Sequence, residues 1–296
     1  MFFLCCSVLI TKAQQRTYEN PIIPGFYPDP SVCKVNDTYY LVNSSFEYFP
    51  AIPIWKSTDL IHWKQVGHVL TRTSHLNLAN TKPSNGIYAP TIRYHEGIFY
   101  VVVTNVQGNK GYTNFYVTTT NPEGAWSDPI YYDQSGIDPS LFFDSDGKVY
   151  FQSNRATKPT DARAIYQSEI DIRTGKRLSD IKLIWKGSGG SYVEGPHIYN
   201  RNGWYYLLTA EGGTAYGHMV AIARSKNIWG PYESNPKNPI LTNRMSYASL
   251  QGTGHADMIQ ANDSSWWLVH LAFRPAIDGI HFIGRETCLT PMRWHN

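Results

Sequence analysis

The chain has 296 residues, enough for one large all-β domain or two ordinary ones, with 42% hydrophobic and only 17% charged residues. Its net charge is +3, no run of five like charges occurs, and Lys and Arg are scattered. That pattern gives no electrostatic support to a nucleic-acid or membrane-surface partner. Aromatic residues make up 14% of the chain (21 Tyr, 12 Phe, 9 Trp), a composition that leans toward pleated, half-buried strands.

At the N-terminus, Phe2 to Ile10 is an apolar run followed by Thr11-Lys12-Ala13. It is shorter than the ~20 residues of a membrane helix and fits the core of an export signal. Residues 1–13 are therefore expected to be a signal, cleaved after Ala13, and the protein to be secreted or periplasmic, although no Lys or Arg precedes the run. Cys5 and Cys6 fall inside this run. The remaining pair, Cys33 and Cys288, fits either a bridge or two buried thiols. Neither CxxC nor a Cys/His zinc spacing is present.

From Asp29 onward one plan is written five times: a short apolar strand, a polar turn, then an aromatic-rich strand. The copies are Asp29-PSVCKVNDTYYLVNS, Ala89-PTIRYHEGIFYVVVT, Asp138-PSLFFDSDGKVYFQS, Glu194-GPHIYNRNGWYYLLT and Gly254-HADMIQANDSSWWLVHL, with starts 60, 49, 56 and 60 residues apart. Each centre is a turn pair: Asn36-Asp37, Glu96-Gly97, Asp146-Gly147, Asn202-Gly203 and Asn262-Asp263. Asx-Gly pairs between apolar runs accept the positive φ of tight hairpins. Further on, IWKSTDLIHW, FYVTTTNPEGAWSDP, YQSEIDIRTGKRL and VAIARSKNIWGPYE each read as a third strand, a turn and a fourth strand. Five such units, with no long helical period, describe an all-β, five-bladed β-propeller. The fifth unit shows no clear outermost strand and is expected to leave an open edge.

In a propeller the first strand of every blade lines the central channel, so residues that start those strands meet around the axis. Three copies place a carboxylate there: Asp29, Asp138 and Glu194. A fourth places His255 there, and the second has Ala89-Pro90. An Asp-Pro start is common turn chemistry by itself. Three acids converging on one axis repel and raise one another's pKa, a folding cost characteristic of functional sites. Carboxylates whose pKa values are pushed apart are what glycoside hydrolysis uses: one protonated to donate to the leaving oxygen, the other ionised.

The motifs NPIIPGFYPDPSVCKVNDTYYLVNSSFEYFP, GIYAPTIRY, GIDPSLFFDSDGKVYF, YVEGPHIYNRNGWYYLLTAEGGT, ARSKNIWGPYE, GTGHADMI and GRET resemble glycoside hydrolase family 43. The resemblance covers the chain from about residue 20 to its end. It implies a propeller over 20–296 that acts on xylose- and arabinose-containing plant polysaccharides or oligosaccharides, with inversion at the anomeric carbon. In those roles Asp29 resembles the general base, Glu194 the general acid and Asp138 the residue that tunes the acid. The resemblance implies substrate contacts from Phe46, at the end of the second strand, from Tyr88, from Arg285 in GRET, and from His255. No cofactor is implied beyond a structural calcium in the central channel, held by His255 largely through water, since one imidazole supplies a single ligand. Phrases such as SSFEYFPAIPIWKS and TAEGGTAYGHM favour an exo-acting β-1,4-xylosidase over an α-L-arabinofuranosidase. A non-catalytic carbohydrate-binding propeller is the competing reading from another class. Relatives of the xylosidase-like branch carry a C-terminal β-sandwich, which is expected to be absent here because the sequence stops soon after GRETCLTP.

Overall fold

A computed structural model describes residues 17–107, 111–155 and 163–295. The expected signal at residues 1–13 lies outside them. Blade one contains β1 (Ser31–Val35), β2 (Thr38–Val42), β3 (Ala51–Ser57) and β4 (Lys64–Leu70). Blade two contains β5 (Gly86–His95), β6 (Ile98–Val106), β7 (Tyr112–Thr119) and β8 (Ile130–Tyr132). In blade three, β9 (Ser140–Phe143), β10 (Val149–Ser153) and β11 (Ile165–Asp171) are flanked by two short strands that both pair with β11, β12 (Lys176–Arg177) and β13 (Lys182–Trp185). Blade four runs through β14 (Glu194–Arg201), β15 (Trp204–Glu211), β16 (Met219–Ser225) and β17 (Glu233–Ser234). Blade five has β18 (Gln251–Gln260), β19 (Trp266–Phe273) and β20 (Glu286–Met292). All pairings are antiparallel, in meander order except that β13 returns to β11, and the five sheets form a five-bladed β-propeller. The described residues contain no α-helix, only a short 3-10 turn at Ile277–Gly279.

Three of the five hairpin signals act as expected, while Asp146-Gly147 and Asn262-Asp263 fall in longer connections, the latter with its positive φ at Ser264. Asn36, Glu96 and Asn202 take φ of 51°, 48° and 52° in two-residue turns, the left-handed geometry that Asx-Gly pairs tolerate. Neighbouring blades then bury five apolar clusters, one per interface. β6 shows why its sequence is continuously hydrophobic: Val101 and Val103 pack toward blade one, while Val102 packs toward blade three. β15 repeats the device with Leu207 and Leu208. A strand covered on both faces has no polar side to show.

The fifth blade corrects the expected open edge. The segment before β1 pairs with β20 through an Ile23–Thr287 bridge with N–H···O distances of 3.2 and 3.3 Å. Asn20 clamps the same edge, donating to the Leu289 carbonyl and accepting from its N–H, both at 2.8 Å. The two ends of the propeller sequence therefore close the ring. Cys33 and Cys288 are both buried free thiols, so the bridge alternative is also set aside.

A polar network ties the five inner strands below the channel mouth. Asp257 on β18 accepts from Ser31 Oγ on β1 (2.6 Å), from Arg93 on β5 (2.7 Å) and from the Tyr199 hydroxyl on β14. Arg93 also donates to His197 Nδ1 on β14 (2.9 Å), which lies 3.0 Å from Ser140 Oγ on β9.

Candidate active site

The inner strands begin in strained backbone. Asp29, Asp138, Gly195 and His255 have φ of 53°, 56°, 55° and 48°, and the first three precede proline. Proline disfavours such geometry in the residue before it, so the surrounding sheets must hold it in place. These four are the true register mates. Glu194 and Gly254, aligned with Asp29 from the sequence, stand one residue earlier, and register shifts at Glu194/His197 and Gly254/Asp257 absorb the offset. The offset still leaves Glu194 facing the axis.

All seven sequence-predicted residues, Asp29, Phe46, Tyr88, Asp138, Glu194, His255 and Arg285, line one cavity of about 440 Å³ on the propeller axis. Asp29 is 5% exposed; its Oδ1 accepts from Arg285 Nη1 at 2.7 Å and its Oδ2 from Ser44 Oγ at 2.6 Å. Burial pushes its pKa up, but Arg285, His255 and the Ser44 hydroxyl outweigh burial and hold it below the usual carboxylate value. Asp138 accepts from the Gly195 N–H at 3.1 Å. Burial, then the charges of Glu194 and Asp29, raise its pKa well above normal. Burial likewise pushes Glu194 up to about 7, with Asp29 adding to the shift and Arg163 opposing it from 3.4 Å. His255 Nδ1 lies 3.9 Å from both Asp29 Oδ1 and Asp138 Oδ2, and burial lowers its pKa.

Phe46 is not on β2, as expected from the sequence, but in the connection after it. There its backbone bridges to Ile87 of β5. Gly86 makes that approach feasible: a Cβ at this residue would stand 2.3 Å from the Phe46 carbonyl oxygen, and its φ is +92°. The Phe46 ring is flanked by Phe26 (5.6 Å, stacked) and Tyr88 (5.2 Å, edge-on), with the Arg285 guanidinium 5.4 Å from its centroid. The result is an aromatic wall next to the Arg285–Asp29 pair.

Sequence reasoning missed several participants. Ser44 sits in the SSFEYFP phrase beside Phe46 and could have been found there, and the Gly195 N–H is implied by Glu-Gly-Pro. Phe26, Arg163 and His218 carry no local signal. His218 lines the cavity with its pKa held down to about 4, chiefly by burial.

The calcium expected beside His255 is not confirmed. Among the described residues no group of three His, Cys, Asp or Glu side chains is disposed to hold a metal. The fully buried channel carboxylate, Asp257, is already taken up by Arg93, Ser31 and Tyr199. Calcium needs six to eight oxygens.

The sequence profile described as "Glycosyl hydrolases family 43" matches residues 18–296. The chain is 46% identical over 282 residues to a non-reducing end α-L-arabinofuranosidase of Bacteroides ovatus, covering 95% of this chain and 52% of that protein. It is 39% identical over 292 residues to a β-xylosidase of Bacillus subtilis (93% and 55% covered). Among solved structures it superposes on a xylan β-1,4-xylosidase from Bacillus halodurans with a TM-score of 0.90 and 41% identity (94% and 55% covered). The chain thus spans about half the length of the curated relatives it matches. The chain belongs to glycosyl hydrolase family 43.

Proposed function

We propose that this chain is the catalytic propeller of an inverting, exo-acting glycoside hydrolase that removes xylose from β-1,4-linked xylo-oligosaccharides. The observation that carries the reading is the split between two acids in one pocket. Asp29 is held ionised by Arg285, and Glu194 is raised to about 7. Asp29 then takes the proton of the attacking water while Glu194 gives its proton to the leaving oxygen. Asp138, held by the Gly195 N–H and with its own pKa raised, orients the acid. Arg285 orients Asp29, and the wall of Phe26, Phe46 and Tyr88 stacks on the sugar's apolar face. A cavity of about 440 Å³ suits one or two sugar rings rather than a long chain, which favours exo action.

α-L-Arabinofuranosidase activity is the second reading, favoured by the 46% identity to the Bacteroides ovatus enzyme of that name. Export from the cytoplasm is part of the proposal, supported by the apolar run from Phe2 to Ile10, and cell fractionation tests it. The decisive assay compares chromogenic β-xyloside with α-L-arabinofuranoside, using the parent, Asp29→Ala and Glu194→Ala. The expected result is xyloside cleavage that falls by about 10²–10⁴-fold in each variant with unchanged melting. Cleavage of neither substrate by the parent would sink the catalytic reading and favour a carbohydrate-binding propeller. Proton NMR of the freshly released sugar's anomer checks inversion.

A further inference from the structure

A second cavity, of about 260 Å³, opens over blade two. Its floor and walls come from the β4–β5 connection (His75, Asn77), the end of β6 (Asn105, Gln107), the start of β7 (Thr113) and Tyr131 on β8. Asn105 pairs with Ile87 in the β5–β6 ladder, and Ile87 bridges to Phe46 of the axial pocket. Both cavities therefore face the same side of the propeller. Strand spacing puts the second one roughly 10–15 Å farther from the axis.

Two buried polar side chains line this cavity, and one of them is left unsatisfied. Asn105 is 4% exposed and its Oδ1 has no hydrogen-bond partner. His75 is 1% exposed; its Nδ1 accepts from the Thr71 and Arg72 N–H groups at 3.3 and 3.4 Å, which leaves the proton on Nε2. The ring also meets the backbone carbonyls of Trp126 and Ser127, which act on it as hydrogen-bond acceptors, so it is not a free donor to the cavity. Buried polar groups are nearly always paired, so the Asn105 acceptor left unpaired in this cleft points to a ligand that brings a donor such as a hydroxyl. Gln107 and Thr113 add further amide and hydroxyl groups. Tyr131 is 59% exposed and backed by Phe115 at 5.7 Å, so it offers a supported flat ring. None of the described lining residues is Asp, Glu, Lys or Arg. A neutral molecule with several hydroxyls and one apolar face matches this surface. The volume is below that of a drug-sized pocket and suits a single sugar ring.

We propose that this cleft is a second saccharide-binding site, which holds one neutral sugar unit of a polysaccharide whose end enters the axial pocket. The polysaccharide part of the proposal rests on the hydrolase reading above. The site anchors polymer and leaves the turnover of small glycosides alone.

The test pairs affinity electrophoresis through gels containing soluble arabinoxylan with kcat/KM on the two chromogenic glycosides. The variants are Tyr131→Ala and Gln107→Ala, both at exposed side chains, and Asn105→Ala. The expected result is about five- to tenfold weaker retention for Tyr131→Ala, a smaller loss for Gln107→Ala, and kcat/KM on small glycosides equal to the parent. Parental retention in both exposed-site variants overturns the second site, as does a parent that arabinoxylan does not retard. Retention lost in Tyr131→Ala by a parent that cleaves neither glycoside upholds the site and overturns the hydrolase reading.

Discussion

Asp29 meets a guanidinium at 2.7 Å on an Arg285 side chain that is 20% exposed, whereas Glu194 meets Arg163 at 3.4 Å on one that is 42% exposed. The first contact is closer and less screened by water, so it overcomes the burial of its carboxylate, and the second does not. The acid must carry its proton, so kcat/KM should fall as pH rises through about 7. The base must be ionised, so the opposite limb should lie below the ordinary Asp value of about 3.9. Arg163→Ala removes a cation that favours ionised Glu194, which raises its pKa. The alkaline limb should then move up by about half a pH unit with the plateau nearly intact. A limb that stays put or moves down in the pH–rate profile would refute this role for Arg163.

At the scale of elements, the ring depends on how its ends meet. Asn20→Ala deletes two hydrogen bonds to Leu289, each contributing about 1 kcal/mol. Calorimetry should show a melting temperature lower by about 3–6 °C, with the pH–rate limbs unmoved. A melting temperature equal to the parent's would mean that β20 does not rely on this clamp. This closure was not legible in the chain. Residues 17–30 carry no alternating pattern and form a single bridge rather than a long strand, so neither periodicity nor a turn pair announces them. The hairpins were legible because their turns are local: Asn36 and Asn202 need only their neighbours to adopt positive φ. In blades one and two the fourth strand falls later than its turn signal suggested. β4 starts at Lys64, after the whole TDLIHW stretch, because Asp59 first folds that stretch on itself by accepting from the N–H groups of Ile61 and His62.

For the molecule as a whole, the channel network makes acid stability a property of all five blades. His197, His218 and His270 have pKa values held down by burial to about 3, 4 and 4. In the unfolded chain each titrates near 6.5. Between those values the unfolded histidines bind more protons, so their contribution declines as pH falls from about 6.5 toward 4, while Glu194 and Asp138, with pKa values raised in the fold, act in the opposite sense over the same range. His270 is built for the neutral form, with Nδ1 3.1 Å from the Leu271 carbonyl oxygen and Nε2 2.9 Å from Thr290 Oγ1. Asp257 acts lower down: Arg93 depresses its pKa against burial, so its contribution is complete above about 3.9 and disappears only below that. In a Glu194→Gln, Asp138→Asn background, which removes the opposing carboxylates, urea midpoints should be lower at pH 5 than at pH 7, and a flat profile over that interval would count against neutral buried histidines.

The sequence by itself determined the number of blades, the hairpin turns, the three acids and the aromatic and arginine residues around them. The blades, turns and acids depend on short-range periodicity, on turn chemistry and on a pattern repeated five times, whereas the aromatic and arginine residues came from motifs that resemble a known family. Only the tertiary structure decided the rest. It moved Glu194 one residue out of register with Asp29, closed the fifth blade with the segment before the first, and gave the acids opposite surroundings through Arg285, Ser44 and Arg163. It also set Phe46 on a bridge between two blades. Each of these depends on groups far apart in the chain whose distance is set by how whole sheets pack, and no local pattern in a sequence encodes that distance.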